Sequence, residues 1–290
     1  MTVLLAGLCT VDVVQRVDEL PAPGEKVQSL SVAVAAGGPA TNAAVTVAAL
    51  GGSATLLTVL GAHPLAELAR ADLAAHGVDV IDVLPDHPDP PAISAVAVRE
   101  RDGERTVVSR NAGGHFAGKV PELHLGNFPD KVRTVLVDGH YPELALGVAK
   151  WARERGVPVV LDAGSWKPVL DDLLPLVDIA ACSAQFYVHG RTPGASLHER
   201  GVPTVITTAG AGPVRWSTLT ASGEVSVPPV TARDTLGAGD VWHGALAYGV
   251  GNYELAELIG FANEVAAERV RHTGPRSWVT AVRHRRMGVR

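Results

Sequence analysis

The chain has 290 residues, 47% of them hydrophobic and 19% charged, enough to bury one large core and too few charges for long disordered tracts. A formal charge of −5, with basic residues clustered only in the tail "RHRRMGVR", argues against a nucleic-acid surface and makes that tail a solvated terminus. The opening "MTVLLAGLCTVDVV" has no basic leader and an early Asp12, so it reads as a strand, and no apolar run approaches the roughly 18 residues of a membrane span. Cys9 and Cys182 lie far apart beside apolar residues and read as buried, reduced thiols of a cytoplasmic protein.

In chain order, "VLLAGL" (3–8) is a short apolar strand, "ATNAAVTVAAL" (40–50) an Ala-rich helix closed by Gly51 and Gly52, and "SATLLTVL" a second strand. An amphipathic helix follows from Pro64 to Gly77. "TVLVDG" (134–139), "VPVVLDAG" (157–164), "VDIAAC" and "VPTVITTAG" are strands, with the helix "ELALGVAKWARERG" between the first two. Two helices, roughly 238–250 and 253–270, end the pattern. This alternation predicts an α/β fold: a mostly parallel central sheet covered by helices on both faces, three layers in one domain over 1–290. Two stretches break the rhythm. Residues 12–36 alternate around a Pro/Gly turn, and 92–109 read as a hairpin with Asp102-Gly103 at its tip; together they predict a small antiparallel lid.

The stretch "DTLGAGD" (234–240) carries the chemistry. Gly237, Ala238 and Gly239 have almost no side chain, so backbone N–H groups can approach a ligand. The helix that follows has unpaired N–H groups and a positive dipole end, which hold a phosphate or a developing negative charge. Asp240 sits inside the first turn. A carboxylate there can serve as a plain cap, but beside an anion hole it is better suited to taking a proton from a hydroxyl that attacks a phosphoryl group. No "GxxxxGK[ST]" and no "GxGxxG" after the first strand is present, which argues against a Walker loop and a dinucleotide fold.

"DTLGAGD" resembles the C-terminal signature of the PfkB/ribokinase family of carbohydrate kinases, and "AAGGPATNAAV" (35–45) resembles its N-terminal signature. "GLCTVDVV" and the lid segment "PAPGEKV" fit as well, so the resemblance covers essentially the whole chain. "GHYPELA", "VLDAG" and "DTLGAGDVWHGALA" look most like the ketohexokinase and sulfofructose-kinase branch. The resemblance implies a ribokinase-like fold and transfer of the γ-phosphate of ATP to a hydroxyl of a small sugar, a ketose or other furanose, with Asp240 as base and Gly237, Ala238 and Gly239 as the anion hole. It places Asp12, Gly37, Gly38 and Asn42 on the sugar. His140, at a strand end, and Arg110, at the end of a lid strand, are further sugar contacts. It places Thr207, Gly210, Gly212, Asp234, Thr235 and Asn263 along the nucleotide. Mg²⁺ is expected with the triphosphate, and a monovalent cation is an open further requirement. The family's Asn-x-x-Glu, which serves the magnesium shell, is replaced by Ser183 and Phe186, and Ala209 stands at a usual glycine. No metal ligand is therefore assigned.

Other acceptors stay open: a nucleoside, or a sugar phosphate held by Arg16, Lys26, Arg99 or Arg110. So does a non-catalytic sugar- or nucleotide-binding role. The free edges of the lid strands invite pairing with a second copy, so a homodimer through 12–36 and 92–109 is expected.

Overall fold

The computed structural model describes residues 1–111 and 131–288, with side chains through 284. Nine strands form the main sheet: β1 (Thr2–Ala6), β4 (Ser53–Thr58), β5 (Val78–Asp82), β8 (Thr134–Val137), β9 (Val159–Ala163), β10 (Ile179–Cys182), β11 (Thr204–Ala209), β12 (Gly212–Thr218) and β13 (Ser222–Val225). Their order is β13-β12-β11-β10-β9-β8-β1-β4-β5, parallel from β11 to β5, with β12 and β13 added antiparallel at one edge. The parallel strands are apolar nearly throughout, as strands covered on both faces must be. On one face lie α1 (Pro39–Ala49), α2 (Pro64–Ala75), α6 (Ala238–Gly249), α7 (Leu255–Val270) and α8 (Val279–Gly288). On the other lie α3 (Pro142–Glu154), α4 (Leu170–Leu173) and α5 (Pro193–His198).

The second sheet is the lid: β2 (Thr10–Val17), β3 (Ser31–Gly37), β6 (Ala92–Arg99) and β7 (Arg105–Arg110), in the order β3-β2-β6-β7. Its two outer ladders are antiparallel, and the central β2–β6 ladder is parallel because the strands come from separate excursions of the chain. Register divides its side chains cleanly. Asp12, Val14 and Arg16 of β2 share the inner face with Ser94, Val96 and Val98 of β6, and Val14, Val96 and Val98 pack on Leu236. Val13, Val34, Ala95 and Val108 line up on the outer face.

The chain departs from the sequence reading in several elements, the short helices α4 and α5 among them. The hairpin β12–β13 and the strand β5 were not foreseen, being short and only half buried. Helix α8 was not foreseen; its Val279 and Val282, just before the basic cluster, are buried in the core, while Arg283 and His284, which open the cluster, are exposed. Cys9 and Cys182 are buried free thiols, as expected, and burial pushes Cys9 up to about 12. Among the described residues no helix is long and apolar enough to cross a membrane.

Candidate active site

Strand order reverses between β1 and β8: the chain moves outward through β4 and β5 from one, and through β9, β10 and β11 from the other. In open α/β sheets the crevice at such a switch, beyond the carboxyl ends of the strands, is where ligands bind. Asp138, just past β8, stitches this point together. Its carboxylate accepts from Leu8 N at 2.8 Å, Ala40 N at 3.3 Å and His140 N at 3.0 Å. Burial works against its charge, but His140 and these backbone donors outweigh that and hold its pKa below the usual range.

One cleft beside this seam is lined by Asp12, Ala36, Asn42, Leu236, Gly237, Val241, Arg269, Pro275 and Trp278. Asp12 enters it from the lid, and Thr10 Oγ1 donates to its Oδ1 at 2.5 Å. Burial raises its pKa. The carboxylate fits only because Gly37 lies opposite: a Cβ there would stand 1.9 Å from Asp12 Oδ2. Gly38 ends the turn and is the residue before α1. Asn42, one turn into α1, donates from Nδ2 to Asp240 Oδ2 at 2.8 Å. The first turns of α1 and α6, 198 residues apart in sequence, therefore meet at one hydrogen bond.

At the start of α6, Gly237 takes a left-handed conformation (φ +71°) that a side chain would strain, and it offers no side-chain cap. The helix N-terminus is thus left to a ligand, with Ala238 and Gly239 forming its first turn. Asp240 is partly buried. Burial first, and then the neighbouring charge of Asp162, push its pKa to about 6, against the opposing effects of Asn42 and His243. A carboxylate in this range is ionised near neutrality and yet basic enough to accept a proton from an alcohol in a transition state. Asp12, Asn42 and Gly237 thus line one cleft, and Asp240 adjoins it through its hydrogen bond with Asn42.

Other expected contacts fall elsewhere. Asp234 was expected beside metal and phosphates, but it is fully buried. Its oxygens accept from Leu236 N at 2.9 Å and Gly274 N at 2.8 Å, and they face Arg269 at 3.5 Å and Arg16 at 3.7 Å. A carboxylate so matched by two guanidiniums pins the lid and α7 to the signature loop. Asn263 was expected near the adenine; it is buried, accepting from Trp242 Nε1 at 2.8 Å and donating to Ser226 O at 3.2 Å. Its amide is spent on joining α7 to α6. Thr235 Oγ1 accepts from Arg105 of the lid at 2.8 Å. Arg110 belongs to the row of Ile93 and Val11, on the face of the lid opposite Asp12. His140 stands at the Asp138 seam, its Nδ1 3.1 Å from Asp138 Oδ1, outside the lining of the cleft.

Thr207, Gly210 and Gly212 sit at the carboxyl end of β11 and its turn into β12, on the same edge of the sheet as the cleft. The ladder slips between Thr207 and Ala209, the alanine at the usual glycine. Phe186, at the expected magnesium-shell glutamate, is 1% exposed and packs near Trp166. Among the described residues no group of three His, Cys, Asp or Glu gathers to hold a metal.

Sequence reasoning missed Arg276, Asp72, Asp162 and His243. Arg276 NH1 donates to Asn42 Oδ1 at 3.1 Å, and its Nε and NH2 reach Asp72 Oδ2 at 3.0 and 2.8 Å. Asp72 also accepts from Ala36 N at 3.0 Å. No local pattern announces this network, because its members come from α2, β3, α1 and the loop before α8.

The chain is 25% identical over 291 residues to the ribokinase of Haemophilus influenzae, covering 95% of this chain and 94% of that one. It is 29% identical over 294 residues to the ATP-dependent ribose-1-phosphate kinase of Halopiger xanaduensis, covering 96% and 95%. The structure of Arabidopsis thaliana ribokinase complexed with ribose and ATP superposes with a TM-score of 0.69 at 20% identity, covering 97% of this chain and 98% of that one. The likeness to ribokinases overturns the expected placement in the ketohexokinase and sulfofructose-kinase branch. Residues 2–281 match the pfkB family carbohydrate kinase model, so the chain belongs to that family and is an ATP-using sugar kinase, a phosphotransferase with an alcohol group as acceptor.

Proposed function

We infer that the enzyme phosphorylates a hydroxyl of a small furanose sugar, a pentose in first place, and that Asp240 is the general base. The observation that carries this reading is the Asn42–Asp240 hydrogen bond at 2.8 Å, which joins Asp240 to the cleft lined by Asn42 and Asp12. Asp12 and Asn42 accept and donate to vicinal hydroxyls, and Gly37 and Gly38 let the ring lie close to the backbone. Asp240 takes the proton of the attacking hydroxyl. The N–H groups at Gly237, Ala238 and Gly239 stabilise the charge on the transferring group. The nucleotide lies along Thr207, Gly210 and Gly212, at the edge of the sheet that the cleft shares. Magnesium would be held by the phosphates and water, since among the described residues no acidic cluster gathers to hold it, and would neutralise the triphosphate. The lid excludes water, which would otherwise consume ATP.

A sugar phosphate is the second reading, favoured by the likeness to a ribose-1-phosphate kinase. Against it, Arg16 is paired with Glu100 and Asp234, and Arg99 with Glu19, Asp102 and Glu104, so neither offers a free charge. ADP release measured with ribose, fructose, ribose 1-phosphate and adenosine separates the readings. Turnover is expected with ribose above the others; a preference of tenfold or more for ribose 1-phosphate overturns the first reading.

The homodimer finds its support in the outer face of the lid. Val34 is 50% exposed, Val32 59% and Val108 72%, an apolar row on a sheet whose edge strands β3 and β7 are unpaired. Sedimentation at micromolar protein is expected to give twice the chain mass, and Val108→Glu to give monomer. A monomeric wild type removes the dimer.

A further inference from the structure

Beneath the cleft, on the side away from Asp12, lies a buried pair of ionisable groups that the phosphoryl-transfer reading does not use. Asp162 is the fourth residue of β9, a carboxylate at the end of an otherwise apolar strand, and it is 6% exposed. Its side chain projects to the same face as Val160, toward α6. There His243, 5% exposed, stands one turn after Asp240 on the same helix. His243 Nδ1 lies 3.1 Å from Asp162 Oδ2 as an ion-pair contact, and among the described residues neither atom makes a hydrogen bond. The other ring nitrogen, Nε2, lies 3.2 Å from the carbonyl oxygen of Ala181 in β10. Both nitrogens thus face oxygens that can only accept. A neutral imidazole has one N–H and would set a lone pair against one of them; the imidazolium presents an N–H to each.

We propose that Asp162 and His243 are positioning residues, a permanently charged ion pair under α6 whose opposed charges set the proton affinity of the Asp240 base. His243 is the imidazolium and Asp162 the carboxylate, so the pair is neutral as a unit and dipolar toward Asp240. Burial disfavours the charged ring, but Asp162, Asp240 and the Ala181 carbonyl favour it, and the balance is upward. Asp240 feels the carboxylate as a charge that raises its pKa and the ring as one that lowers it. The remaining groups around Asp240 are Asp12 from β2, the neutral amide of Asn42 from α1 and Arg269 from α7. Around His243, β10 adds only the Cys182 thiol, which burial keeps protonated. Within the pair, His243 offsets part of the rise that Asp162 causes, so Asp240 stays below the value it would reach beside the carboxylate alone.

The proposal rests on Asp240 as the base, and its test has one arm that does not need turnover. In the ¹⁵N spectrum of the wild-type protein, the histidine ring whose N–H protons exchange slowest with water is expected to keep both protons from pH 6 to pH 8. A singly protonated ring at pH 7 overturns the ion pair whatever the kinetics show. In the second arm, the acid limb of kcat/KM is compared among variants. His243→Gln removes the positive charge and should move the limb up by about half a pH unit or more. Asp162→Asn removes the negative charge and should move it down by a similar amount, and the double variant should return it close to wild type. Opposite shifts that cancel are not produced by loosened packing, which lowers rate alike at every pH. Shifts of the same sign, or a limb that stays in place while activity falls evenly, overturn the proposal.

Discussion

Asp240→Asn is expected to lower kcat by about 10²–10⁴-fold while raising the melting temperature at pH 8. The loss follows from the role. An amide keeps the size of the carboxylate and can still accept from Asn42, so the cleft persists, but it takes no proton from the attacking hydroxyl. The gain follows from linkage. The Asp240 pKa is raised from 3.8 to about 6. Between those values the folded chain binds more protons than the unfolded one, so stability falls as pH rises from about 4 through about 6 and stays lower above it. At pH 8 the wild type carries that penalty, on the order of 1–3 kcal/mol, and the amide does not. The gain should therefore be a few degrees at pH 8 and should vanish near pH 4, where both forms are neutral. The same shift places the acid limb of wild-type kcat/KM at about 6. Turnover by Asp240→Asn within threefold of wild type removes Asp240 from the chemistry. A melting temperature lowered at pH 8 removes the strain argument but leaves the base in place.

Legibility in the sequence tracked how local each feature is. "DTLGAGD" and "AAGGPATNAAV" could be read because each packs a small-residue turn and a polar residue against the start of an apolar helix, all within a dozen positions. The hydrogen bond that joins them spans 198 residues, and the resemblance to a family, more than any periodicity, brought them together. Asp234 and Asn263 show the opposite limit. Each stands at a motif position, yet each spends its side chain on the interior, Asp234 between two arginines and Asn263 on Trp242. Sequence spacing gives the place of a polar group but not the direction in which its side chain is satisfied. Asp162 could have been suspected, since a carboxylate in "VPVVLDAG" must find a partner or water at the strand end. Its partner lies on a helix 81 positions later, at a site with no motif of its own. Asp72, in "ARADLAAHG", has the look of a solvated helix position, and only the fold discloses that Arg276 comes back to cover it.

Arg276→Ala is expected to be the most damaging substitution outside the catalytic turn, because this side chain holds together the floor of the cleft. Its guanidinium donates to Asp72 Oδ2 twice, at 3.0 and 2.8 Å, to Ala36 O at 2.5 Å and to Asn42 Oδ1 at 3.1 Å. The last contact fixes which way the Asn42 amide points: with Oδ1 committed to an arginine, Nδ2 has to face Asp240. Asp72, in turn, is held by two partners. Burial would raise its pKa, but His76 and Arg276 outweigh that and hold it at about 2. Arg276 and Asp72 are 12% and 15% exposed in their side chains, so removal of one leaves a poorly solvated charge. A fully buried pair broken in this way costs about 3–5 kcal/mol, and the residual exposure brings that to roughly 2–3, or about 3–5 °C of melting temperature for a chain of this size. Kinetically, the freed amide can turn its oxygen toward the Asp240 carboxylate, which should lower kcat/KM by about 10–100-fold, with a rise in KM for the sugar. Arg276→Lys keeps the charge but not the fork, so it should recover more of the stability than of the activity. The pH dependence carries a sign as well. A depressed carboxylate stabilises above its unfolded pKa, so the Asp72 contribution is present above about 4 and is lost as pH falls toward about 2. Thermal unfolding of wild type, Arg276→Ala and Arg276→Lys at pH 7 and pH 3, alongside steady-state kinetics, reads all of this. Wild-type kinetics and melting in Arg276→Ala would show that Asn42 keeps its orientation unaided, leaving the Asp240 hydrogen bond itself as the sole determinant of how the amide is turned.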